Sequence, residues 1–574
     1  MRLPLLCLLA ALAAPACSGR IGDGPNLPAT GGPGPRPSTS PQPSQSPSTS
    51  PTPSPTPTPA ALTDGWPSFG PHAAVQLRRL TTEQYLASVK SLLGVSTAGI
   101  PLTEPVSPVS GFPAIGAASA AISSNGVAQF EGAAGFLAAA VIGSPSARAS
   151  VSPCAPSSIT DETCFRAFIT RFGRQAFRRA LTAEEVDAYA ALTLMVAGNT
   201  NDPWQGIQST ISAFLQSPNF LYLPEIGEPD PDQAGRMRFT NEEMASRLSY
   251  FLTGDRPDDA LLDAAEAGEL TTSAGLTAAI DRLLAKDEAR AAVRSFFSVM
   301  LALEGLDNFT RPAALYPAFT PTLGAALKEE TLRTLEDAVF DRDLDYRRVF
   351  DQRETFVNAE LASFYGVPAP SGSGFQRVSL PEGPRRGLLG QAGVLAVHDH
   401  ESTTSPTKRG LFVLTRLLCQ PLALAPPAGV RIPPLPTGML TARQKLAPHS
   451  SITGCAGCHV AMDAVGLSLE HFDAMGVYRD TDHNLAIDDS GVLGPSTYRG
   501  EAELASLIAN APAAGPCLIS ALYGVSVGHL ADDFDKDSFA ALVHTYDTSG
   551  GRVRAVLKAI AQSDGFRFTT GATP

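Results

Sequence analysis

Three stretches, RRLTTEQY from Arg78, RRALTAEEV from Arg178 and RMRFTNEEM from Arg236, repeat one local pattern that commits this chain to helices. Each places a threonine (Thr81, Thr182, Thr240) three residues ahead of Gln84, Glu185 or Glu243. This spacing is a capping box: the hydroxyl accepts from an otherwise unpaired N–H of the first turn, and the Gln or Glu side chain reaches back to the cap's own N–H. Leu80, Leu181 and Phe239 precede the caps, with Tyr85, Val186 and Met244 positioned to meet them as hydrophobic staples. Gly94 and Gly254 stand where left-handed caps end the first and third helices. Two further runs, LTAAIDRLLAKDEARAAVRSFFSVML and LGAALKEETLRTLEDAVF, space apolar residues three to four apart with charges between them. Strand signal is thin, so the expected fold class is mainly α, in several packed helical domains.

The N-terminus reads as an export signal. MRLPLLCLLAALAAPACSGR has a positive start at Arg2, an apolar run and the small residues Ala14 and Ala16 ahead of Cys17. Residues 1–17 are the expected signal peptide. A cysteine directly after the cut makes Cys17 the expected lipidation site, with simple secretion after Ala14-Pro15-Ala16 as the alternative. Residues 18–62 are a Pro/Ser/Thr tract that buries nothing and serves as an extended stalk. A lipid on Cys17 is the one membrane attachment expected. The net charge of -13 and the absence of any Lys/Arg run argue against nucleic acid as a partner.

Near the C-terminus, CAGCHVAMDAVGLSLEHFDAMGVYRD begins with Cys455, Cys458 and His459 in Cys-x-x-Cys-His order. Composition alone predicts roughly 0.002 such occurrences in a chain of this kind. Two thiols one helical turn apart can add to both vinyl groups of one porphyrin, while the adjacent imidazole reaches the iron, so covalent haem c is the expected cofactor. A disulfide, a redox-active thiol pair and half of a zinc site remain as alternatives for the same residues. Setting aside Cys7 and Cys17, six cysteines remain, and six permit fifteen connectivities. Pairing Cys154 with Cys164 and Cys419 with Cys517 is chosen because it leaves Cys455 and Cys458 for thioethers. No Ser-His-Asp order, phosphate-cradling glycine loop or His-Glu-x-x-His helix points to another chemistry.

These segments also resemble the planctomycete-type cytochrome proteins, exported chains in which helical domains of unknown function precede a cytochrome-like domain. The resemblance rests on RRLTTEQYLASVKSLLGV, FGRQAFRRALTAEEVDAY, TNEEMASRLSYFLTGDRPDDALLDAAEAGEL, TSPTKRGLFVLTRLLC and the motif stretch itself. It implies helical domains at 63–148, 149–224 and 225–366, an irregular loop-rich cytochrome-c-like domain at 380–493 and a C-terminal helical domain at 494–574. It implies haem in an exported protein with an unnamed redox partner, and it implies no reaction. The family pattern after the motif is Met-Asp-Pro-x-Gly; here Ala464 replaces the proline between Met462, Asp463 and Gly466, where a turn ending the motif helix is expected.

His459 is the expected proximal ligand. Met462, three residues later on the same helix, lies on the proximal side and is expected to pack. The distal candidates are His449, His471 and Met475, with His398 and His400 if LAVHDHESTTSP folds over the site. His398 and His400 have a rival reading: two apart on an extended segment they point the same way, and with Asp399 or Glu401 they form a non-haem metal site. Arg409, Arg416 and Arg443 are candidates to pair with haem propionates.

Overall fold

All three expected capping boxes form in the computed structural model, with both reciprocal hydrogen bonds present at Thr81, Thr182 and Thr240. They open the helices Thr82–Leu93, Ala183–Thr200 and Asn241–Thr253. Gly94 and Gly254 end the first and third in the left-handed conformation, at φ 65° and 69°. The structure describes residues 77–422, 434–452, 455–532 and 534–570. The signal segment, Cys17, the linker and most of the proline-rich run after Cys419 lie outside them.

The fold is mainly α, and its strands form only two- and three-stranded antiparallel sheets. These sheets act as clips. Arg78–Arg79 pairs with Tyr222–Leu223, and Arg236–Arg238 lies between Glu228–Pro229 and Phe568–Thr570. The first long amphipathic run breaks into two helices, Ser273–Leu284 and Asp287–Met300. The break falls at Lys286, whose ammonium pairs with Asp258 at 2.7 Å, and the second helix restarts with Asp287 and Glu288 in its first turn, where acids favour the helix N-terminus. The second run is helical over Leu323–Glu336 and widens into a π turn at Asp337–Asp341.

Two apolar clusters organise the packing. One draws on residues from Leu80 to Leu223 together with Tyr250. The other takes Phe112, Ile115 and residues from Phe239 to Phe566, and it includes Met462, Val465, Leu469, Phe472 and Met475 from the motif stretch. The motif is therefore built onto the larger helical core. A buried ion triad joins segments contributing to both clusters: Glu225 pairs with Arg78 at 2.7 Å and with Arg247 at 2.9 Å. Arg78 also donates to the Ser526 carbonyl, and Arg247 to the Phe566 carbonyl.

Two disulfides form, Cys154–Cys164 and Cys419–Cys517, the pairing expected from sequence. Cys164 lies in the first turn of the helix Glu162–Phe177, and Cys517 lies in the helix Ala514–Val527.

The motif helix, Ala456–Gly466, crosses the helix Pro406–Phe412 at very short range. A Cβ on Gly410 would meet the Met462 carbonyl, and a Cβ on Gly466 would meet the Pro406 carbonyl, each at under 2 Å. Only glycine permits backbone against backbone here. Beyond Phe412 the crossing helix widens into a π turn, Val413–Leu417, rather than continuing as α to Cys419. Substituting Gly410→Ala should force the helices apart and lower stability by about 1–3 kcal/mol. Urea denaturation checks this, with the exposed Gly457→Ala as the control expected to leave the midpoint nearly unchanged.

Candidate functional site

Cys455 occupies the N-cap position of the motif helix, and Cys458 and His459 follow within its first turn. Neither cysteine is in a disulfide, although the other four cysteines among the described residues are paired. Cys455 is buried, Cys458 and His459 are partly exposed, and Val460, next along the helix, is 56% exposed.

One interaction fixes the imidazole. His459 Nδ1 lies 3.0 Å from Oδ2 of Asp463, one turn further along. An ionised carboxylate only accepts, so Nδ1 carries the proton and Nε2 keeps its lone pair. Asp463 is itself buried, and its other oxygen accepts from Thr407 Oγ1 at 2.7 Å, across the glycine crossing. A carboxylate behind a ligating histidine is the arrangement that orients the ring and raises its basicity. Sequence reasoning had assigned Asp463 to a turn. The helix instead runs unbroken to Gly466 and passes directly into a 3₁₀ turn at Leu467–Leu469. Ala464, in place of proline, keeps its N–H and favours the helix. The i,i+4 spacing of His459 and Asp463 was the available signal for their contact.

Of the distal candidates, His449 lies beside the motif. It sits near the end of the helix Ala442–Ser451, is 8% exposed, and its ring centroid is 4.9 Å from that of His459 at 66°. His471 has other engagements: Nδ1 donates to the Arg479 carbonyl at 2.8 Å, Nε2 is 3.8 Å from Asp489, and the ring stacks on Tyr478. Met475 and Met462 are both core residues, Met462 packing as expected. His398 is partly buried and stacks on Phe412 with ring centroids 4.1 Å apart, and desolvation pushes its imidazolium pKa down to about 3. His400 is exposed near Lys408. The expectation that His398 and His400 point the same way on an extended segment is corrected, because residues 397–398 form a turn that leaves His398 partly buried and His400 exposed. Asp399 is not available to them, being paired with Arg409 at 2.6 Å.

The three arginines considered for propionates are each committed within the protein. Arg416 donates to the Ser110 carbonyl, and Arg443 donates to the Asp488 and Ser490 carbonyls. Arg409, 1% exposed, donates to the carbonyls of Leu469, Phe472 and Asp473 at 2.8–3.0 Å as well as to Asp399. It thereby ties the crossing helix to the chain leaving the motif. Beside it, Glu470 takes Arg479 at 3.0 Å, and Arg479 also pairs with Asp482. Two guanidiniums thus face three carboxylates, Asp399, Glu470 and Asp482.

Comparison with family models places this architecture among helical multi-domain chains bearing a cytochrome-type segment. Residues 164–225 match PSD5, a protein of unknown function (DUF1595), 239–367 match PSD4, a protein of unknown function (DUF1592), and 385–482 match PSCyt3, a protein of unknown function (DUF1588). These are the planctomycete cytochrome-type domains, and the chain belongs to that multi-domain family. The third match contains Cys455, Cys458, His459 and Asp463. No curated protein and no solved structure matches the chain.

Among the described residues, the group whose ligand atoms converge within 4.8 Å is His529, Asp532 and Asp535, and the motif residues form no such cluster. A zinc site needs four converging donors. Haem c needs its thiols directed at the ring edge and only the imidazole at the metal.

Burial, with one carboxyl in excess over the arginines, pushes Glu470 up to about 7. Glutamate in the unfolded chain titrates near 4.3, so the folded state retains a proton that the unfolded state releases. Stability should therefore fall as pH rises from about 4.3 towards 7, and then level off. Glu330, also pushed up to about 7 by burial, acts in the same direction. Comparing urea midpoints at pH 5 and pH 8 checks this: Glu470→Gln should shrink the loss without abolishing it.

Proposed function

We propose that this chain is an exported c-type haem protein that passes electrons to or from a partner protein. In this reading Cys455 and Cys458 would hold haem through thioethers, His459 would hold its iron, and His449 is the candidate for a second iron ligand. The observation that carries this reading is the His459–Asp463 pair, which protonates Nδ1, holds the ring and leaves the Nε2 lone pair for a metal. Cys455 and Cys458 stand outside any disulfide while the other described cysteines are cross-linked, which supports it. Haem bound here would supply one-electron exchange between ferric and ferrous iron. The protein's own part is orientation: Asp463 holds the imidazole, Thr407 holds Asp463, and the glycine crossing holds Thr407 close to the motif helix. His449 is the distal candidate that the fold brings to the His459 ring. Export and anchoring belong to the same proposal: a lipid on Cys17, with residues 18–62 as the stalk that sets the helical body off a membrane surface.

Expression with the haem-ligation machinery tests the reading. A pyridine haemochrome spectrum should show one covalent haem per chain, lost when both cysteines are replaced by alanine. No covalent haem in the wild-type chain would leave a haem-free envelope scaffold as the better account. His449→Ala should keep the covalent haem and convert a low-spin spectrum to high-spin, and an unchanged spectrum would remove His449 from the iron. Asp463→Asn should raise the reduction potential, because a neutral partner leaves the imidazole less basic.

A further inference from the structure

Away from the motif, a cavity of about 680 Å³ opens where the first capped helix, Thr82–Leu93, meets the larger helical core. Its volume is that of a small-molecule site. Three phenylalanines wall it: Phe112 and Phe296, stacked with centroids 5.5 Å apart, and Phe251. Val299, Leu522, Val525 and Leu557 add to the apolar surface, so six separate segments converge on the space. Its charged lining residues are of one sign. Glu83 and Glu304 both line it, and Ser295 donates to Glu83 across the gap between two helices at 2.9 Å. No lysine or arginine among the described residues lines it.

This combination selects by charge. A carboxylate, phosphate or sulfonate head would meet two glutamates in the lining, while the guanidinium of Arg416, 5.6 Å from the Phe112 ring, is held by the Ser110 carbonyl, which leaves a repulsive arrangement. An aromatic or alicyclic body would gain the phenylalanine walls, and a donor or positive group would be favoured at the acidic rim. The geometry points to a binding site for a lipophilic small molecule, uncharged or cationic, with its apolar body against Phe112, Phe251 and Phe296 and its polar end towards Glu83 and Glu304. This site is separate from the Cys-x-x-Cys-His segment, and its occupancy does not depend on haem.

Two fluorescent probes that share a ring system test it on the full chain: N-phenyl-1-naphthylamine, which carries no charge, and 1-anilinonaphthalene-8-sulfonate. The uncharged probe should bind saturably at one site, and the sulfonate at least tenfold more weakly. Val299→Trp and, separately, Ala292→Trp should fill the cavity and abolish binding of the uncharged probe, with circular dichroism confirming that each variant is folded. Glu304→Lys should bring the sulfonate probe to equal or tighter binding. Equal binding of both probes by the wild type, or undiminished binding of the uncharged probe by a folded tryptophan variant, would overturn the assignment.

Discussion

The buried guanidinium of Arg409 is the constraint on which the motif region depends. One side chain, itself buried, satisfies three carbonyls of the chain leaving the motif and the carboxylate of Asp399. Breaking such a pair would strand buried charge, at a cost of about 3–5 kcal/mol. Its neighbour Gly410 places the same helix against the motif helix, so a single dipeptide supplies both the electrostatic tie and the close approach. The Thr407–Asp463–His459 chain of hydrogen bonds is a consequence of that approach, since Thr407 reaches Asp463 only because no side chain keeps the two backbones apart.

This arrangement explains why the motif does not stand as an independent cytochrome-like module. Its apolar residues contribute to the same cluster as helices from Phe239 onward and from the C-terminal region. The disulfide Cys419–Cys517 adds a covalent link between the end of the crossing helix and the helix Ala514–Val527. A motif held this way has its side-chain geometry set by the whole body. That provides a physical role for helices that carry no chemical motif of their own: they supply the rigid support that fixes the imidazole and its carboxylate partner.

Helix starts were legible because a capping box is local: Thr240 and Glu243 interact across three residues whatever the rest of the chain does. The mainly α class followed from such signals. The disulfide pairing was anticipated by an argument about which thiols had to stay unpaired. By contrast, the turn expected at Asp463–Gly466 and the shared direction of His398 and His400 differ from the structure, because each was inferred from local sequence and decided by packing. His398 is turned inward by Phe412, a contact that no two-residue periodicity encodes.

By itself, the sequence determined the motif of Cys455, Cys458 and His459 and the helices that lead to it, since both depend on residues within one or two turns of each other. Only the tertiary structure decided what surrounds the imidazole. It brought His449 to 4.9 Å, engaged His471 with Arg479, spent Arg409 on Asp399 and joined Asp463 to Thr407. These outcomes turn on which side chains meet when two helices cross at Gly410 and Gly466, and a contact between residues 56 positions apart leaves no periodic trace in the chain.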